Sequence, residues 1–76
     1  MEDFAELAEK IPLIVNQNEL FAIMQLLVNE LNYEWINKEE SWLTIAYQLE
    51  QYGETDLAKV FTVANQHAFQ LSLKGR

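Results

Sequence analysis

Cysteine is absent from this 76-residue chain, so no disulfide can reinforce it. Zinc-binding sets, which usually recruit Cys or several His, are reduced to one imidazole, His67. Glycine occurs only twice, at Gly53 and Gly75, and proline once, at Pro12, which leaves no glycine-rich loop to cradle a phosphate. Basic residues are scarce. Five Lys and Arg stand against twelve Asp and Glu, for a net charge of −7, so a nucleic-acid backbone would be repelled and no nucleic-acid partner is expected. Long apolar runs are missing too: Ile11 to Val15 and Phe21 to Met24 fall far short of the roughly 20 residues that cross a bilayer, and no membrane partner is expected. The start, Met1-Glu2-Asp3-Phe4, is acidic where a secretory signal would be basic. A cytoplasmic protein is therefore the expectation.

What is present points to a folded chain. Half of the residues are hydrophobic and 12% are aromatic, unlike the sparse, highly charged composition of disordered segments. The length suits a single all-helical domain over residues 1–76. Domains this small usually need a disulfide, a metal or a partner chain beside their own core. With the first two disfavoured, association is the expected reinforcement. Charge is unevenly spread: all twelve acids lie between Glu2 and Asp56, and from Leu57 onward the only charges are Lys59, Lys74 and Arg76. A solubilising surface accounts for this most simply, and electrostatic docking is the sharper alternative.

Helical periodicity runs through the chain. Phe4, Leu7 and Ala8 predict a first helix from Asp3 to about Lys10, with Pro12 limiting it, either within a turn or at the start of a new one. Asn16 or Asn18 can cap a second helix that runs to about Leu31. Its apolar positions, Leu20, Phe21, Ile23, Met24, Leu27, Val28 and Leu31, spread well beyond a narrow stripe, which reads as the central helix of the fold. Asn32 to Asn37 has no clear period and reads as a connection whose Tyr33, Trp35 and Ile36 cover the core edge. Asn37 with Glu40 three residues later predicts a capping box for a third helix, whose buried stripe is Trp42, Ile45, Ala46, Leu49 and Tyr52 and whose stop is Gly53. Thr55 as cap, with Asp56 in the first turn, opens a fourth helix with an apolar face of Leu57, Val60, Phe61, Ala64, Ala68 and Leu71 before Gly75. No stretch alternates with period two. The predicted fold class is all-α: a small bundle of three main helices plus a short N-terminal helix, with the C-terminal half an antiparallel helical hairpin.

Catalytic chemistry finds no foothold in this pattern, and a non-enzymatic protein without cofactor is expected. Glu2 with Glu6, Glu30 with Glu34 and Glu50 with Glu54 are carboxylate pairs at i, i+4. Helical di-iron sites, however, add Glu-x-x-His motifs, and the residue three before His67 is Ala64. These acids read as solvated surface. His67 falls at the margin of the fourth helix's apolar stripe and reads as a boundary residue; a pH-sensing or ligand role would need a carboxylate from another helix. Ser41, Ser72, Thr44, Thr55 and Thr62 have no acid-base neighbours to activate them and read as caps and surface positions.

Apolar side chains left over after the core is assigned are more informative. Leu43 and Tyr47 project roughly opposite the stripe of the third helix, and Phe69 and Leu73 point away from the face of the fourth, flanked by Thr62, Asn65 and Gln66. Two such pairs mean that these helices bury both sides, either under other parts of the chain or under another molecule. Leu43, Tyr47, Phe69 and Leu73 are the candidate interface, with Trp35 as a further aromatic anchor.

Trp42, Ile45, Ala46, Leu49, Gly53 and Ala58 give the stretch from Trp42 to about Leu71 a spacing that resembles a tetratricopeptide-type helix-turn-helix. After Ala58 the pattern slips, since Phe61 and Ala64 come one residue early, and a shift of about 34 residues finds no second copy. The resemblance covers less than half of the chain and implies hairpin geometry, with no family function. The expected role is a small acidic protein–protein interaction or regulatory module, whose partner is another protein or a second copy in a homodimer. The alternative is an acidic inhibitor of the antitoxin, immunity or nucleic-acid-mimic kind that binds a basic partner protein.

Overall fold

The computed structural model describes residues 3–74, so Glu2, Gly75 and Arg76, which figured in the expectations above, lie outside the described residues. Helix α1 spans Phe4–Lys10 and begins where Asp3 accepts hydrogen bonds from the backbone N–H groups of Ala5 and Glu6. Lys10 in its last turn reaches Glu6 at 3.0 Å, both side chains in solvent. The chain then tightens into a 3-10 turn, Ile11–Leu13. Pro12 thus starts a turn, where its missing N–H costs nothing, and Ile11 drops into the core fully buried.

Helix α2 spans Gln17–Glu30 with Asn16 as its cap, the Asn16 side chain accepting from the N–H groups of Asn18 and Glu19. Leu31 and Ile36 of the following connection are buried, and Tyr33 and Trp35 are half-buried against the core, as a connection covering the core edge requires. Helix α3, Trp42–Gln51, starts later than Asn37 and Glu40 predict. Its cap is Ser41, whose Oγ accepts from the Thr44 N–H at 3.3 Å. Asn37 and Glu40 do meet, Asn37 Nδ2 donating to Glu40 Oε1 at 3.4 Å, but they close a turn ahead of the helix, in which the Asn37 side chain also accepts from the Glu39 N–H.

At the end of α3 the Gly53 N–H bonds to the Glu50 carbonyl and the Glu54 N–H to the Leu49 carbonyl. This is the paired pattern of a Schellman stop, and it needs the left-handed φ of +87° that Gly53 adopts. Tyr52, expected in the buried stripe, is instead the exposed C-cap, because the helix ends one residue before it. Helix α4, Thr55–Lys74, follows at once. Thr55 is its first residue and not its cap; the carbonyl of Glu54 receives the first helical bond, from the Ala58 N–H at 2.9 Å.

The four helices form a small all-α bundle whose C-terminal half is a hairpin of α3 and α4. Its hub is α4, against which α1, the 3-10 turn, α2 and α3 all pack; α2, expected at the centre, is peripheral. At 20 residues, α4 is about 30 Å long and alone reaches every other element. Its Ala58 and Ala64 are buried and let neighbouring backbones approach. Phe61, the largest fully buried side chain, shares the core with Ile11, Leu20, Met24, Ile45, Leu49 and Val60. The broad apolar spread of α2 leaves Phe21 and Leu26 in solvent.

Candidate interaction surface

Neither extra apolar face is covered by the rest of the described chain. On α3, Leu43 is 54% and Tyr47 66% exposed, and on α4, Phe69 is 63% and Leu73 49% exposed. Each face stays open because its helix spends the opposite side on the core: Ile45, Ala46 and Leu49 of α3 and Leu57, Val60, Phe61 and Ala64 of α4 are buried. Trp35 is held differently. It is the shared ring of two stacks, with Tyr33 at a centroid distance of 4.7 Å and Tyr52 at 4.1 Å. Two rings stacked on one indole take up its faces, so Trp35 is half-buried and offers mainly an edge to a partner.

The aromatic stack also holds an electrostatic coupling that no local spacing signals. Partial burial, together with the nearby Glu54 carboxylate, pushes the Tyr33 phenol above its ordinary range. Phe21 and Trp42 form a separate edge-to-face pair, with centroids 5.5 Å apart, which ties α2 to the start of α3.

His67 is half-buried, as its boundary position predicts, and its Nε2 donates to the backbone carbonyl of Ile14. That contact clasps the segment after the 3-10 turn to α4 and occupies the imidazole with a structural task. The hydroxyls behave as caps and surface groups: Ser41 caps α3, and Thr62 Oγ1 donates back to the Ala58 carbonyl at 3.1 Å. Among the described residues no polar or charged side chain is buried, and no three His, Asp or Glu gather closely enough to hold a metal ion. The second carboxylates of two expected pairs, Glu34 and Glu54, lie outside α2 and α3.

Sequence reasoning missed a groove. Phe4 and Leu7 of α1, Ile23 and Leu26 of α2, and Leu57 of α4 line an apolar cleft of about 810 Å³, to which the exposed Glu30 carboxylate also belongs. The only trace of it in the sequence is the width of α2's apolar distribution, which signals two contacts for one helix without saying that one is empty.

No protein family, curated protein or solved structure matches this chain. Among the described residues no helix is long and apolar enough to cross a membrane.

Proposed function

We propose that the chain is a non-enzymatic protein–protein interaction or regulatory module that pairs with itself as a homodimer through Leu43 and Tyr47 of α3 and Phe69 and Leu73 of α4. The observation that carries this reading is the exposure of Leu43, Tyr47, Phe69 and Leu73, four of the nine large apolar side chains exposed among the described residues, on helices whose opposite faces are buried. Apolar side chains grouped on two helices mark association surfaces more often than isolated ones do. A chain of this length without cysteine also gains from a partner that extends its core. Replacing both Phe69 and Leu73 with Glu tests it: association weakens while the helical signal and unfolding midpoint of the monomer hold, because exposed positions change stability by only about 0.5 kcal/mol. Unchanged association with an intact fold removes α4 from the seam.

A second reading, the acidic inhibitor, draws on a different observation: none of the described carboxylates is buried, so they are available to a basic protein. Ionic strength separates the two. Contacts through carboxylates weaken steeply with salt, whereas an apolar seam between two chains of charge −7 holds or tightens as repulsion is screened.

A further inference from the structure

Helices α1 and α2 both pack on α4 but scarcely touch one another, and the apolar groove lies in the gap. Leu26 on its flank is 68% exposed and Phe4, Leu7 and Ile23 are half-buried, so the walls are open to solvent above the buried Leu27, Leu31 and Leu57. The rim is acidic. Glu30 lines the groove, and Asp3, Glu6 and Lys10 surround Leu7 in the adjoining depression. No Lys or Arg occurs between Lys10 and Lys38, the stretch that supplies all of α2, and Lys10 and Glu6 offset one another at 3.0 Å, which leaves Glu30 and Asp3 as the net negative charge.

We infer that this groove receives an amphipathic helix of a partner protein, with Leu- or Phe-sized side chains toward the floor and Lys or Arg toward the carboxylate rim. The inference rests on the chain being an interaction module, but not on its being a homodimer, since it uses a different surface. The span of the 14-residue α2, about 21 Å, matches a helix of similar length lying alongside it. Within this chain only the acid-free run from Leu57 to Lys74, with Phe69 and Leu73, has comparable chemistry. Phe69, however, lies about 18 Å along α4 from Leu57, too far to fold back into its own groove. A second copy could bring that ridge to the groove reciprocally about a twofold axis or head to tail, but Gln66, Gln70 and Ser72 flank Phe69 and Leu73 with Lys74 as the only nearby base among the described residues, so the ridge lacks the basic flanks that the carboxylates call for. The Leu43 and Tyr47 face is unsuitable because Glu39, Glu40 and Glu50 surround it in sequence.

Three labelled peptides of about fourteen residues test this by fluorescence anisotropy. One carries Leu at i, i+3, i+4 and i+7 with Lys on the flanks, the second keeps the Leu stripe with Glu for Lys, and the third keeps the Lys content with the stripe scrambled. The first is expected to bind about tenfold or more tightly than the others. Leu26→Asp should cost that peptide about tenfold and Glu30→Lys several-fold, both variants keeping wild-type helicity and the wild-type mass on dilution. Equal binding of the three peptides overturns the inference, as does an affinity that neither variant changes. Should Leu26→Asp fail to fold, Glu30→Lys decides alone, and an unchanged affinity overturns the acidic rim. A wild-type dimer or larger assembly that Leu26→Asp dissociates would seat a second copy in the groove and overturn the assignment to a foreign helix. Loss of the homodimer alone would leave the peptide result intact.

Discussion

Tyr33 shows how one side chain in this fold senses its surroundings. Its phenol is raised by partial burial and by the Glu54 carboxylate, both of which disfavour the phenolate. The unfolded chain ionises near the ordinary value of about 10, and the folded chain only above it. Between the two the unfolded state holds fewer protons, so stability is complete below the unfolded value and is lost as pH rises through the folded one. Urea midpoints measured from about pH 8 to about pH 11 should therefore fall, and Tyr33→Phe should flatten that fall. A slope that Tyr33→Phe leaves untouched would assign the alkaline loss to another group. Gly53 makes a second residue-scale case. A Cβ at this position would meet nothing within 4 Å, so the whole cost of Gly53→Ala is the left-handed backbone, about 1–2 kcal/mol. Gly53→Asn should cost less, since Asn tolerates that region; equal losses would show that the backbone is not the cause.

At the scale of elements, caps decide where helices begin. Ser41→Ala removes the oxygen that receives the Thr44 N–H and should cost about 1 kcal/mol, more than Asn37→Ala, which only loosens the preceding turn. Chemical denaturation of both variants checks this, and the reverse ranking would restore Asn37 as the effective start. The contrast also shows what the sequence could and could not specify. Asn16 and Gly53 were legible because their chemistry is local: one side chain meets the N–H groups two and three residues on, and one backbone supplies a positive φ. Asn37 with Glu40 satisfied the same local rule and still did not open the helix, because Ser41 competes for that role four residues later. Thr55 was displaced by Glu54 because the Schellman stop and the next helix share a residue at the corner. That Leu43, Tyr47, Phe69 and Leu73 point away from the core-facing stripes could be read from helical spacing; that nothing in the described chain covers them could not. Groove and aromatic stack could not, since both depend on how far α1 stands from α2 and on where the connection carries Trp35.

The whole molecule is built on α4, and this explains why apolar surface remains. A body of 38 × 25 × 18 Å organised along one long helix cannot wrap every face of its shorter neighbours, so α2 and α3 each keep one flank in solvent. The flank of α3 and the far side of α4 suit a seam between like chains; the flank of α2, with Glu30 beside the groove, suits a basic helix. Charge divides along the chain and not between these faces, with every acid at or before Asp56 and only bases beyond. The central claim, that the open faces of α3 and α4 pair two copies of the chain, is tested most directly by the solution mass from light scattering across a dilution series at low and high salt. The expected result is a mass that rises with concentration to twice that of the chain and is held or strengthened by salt; a mass equal to one chain at every concentration and both salts would contradict it.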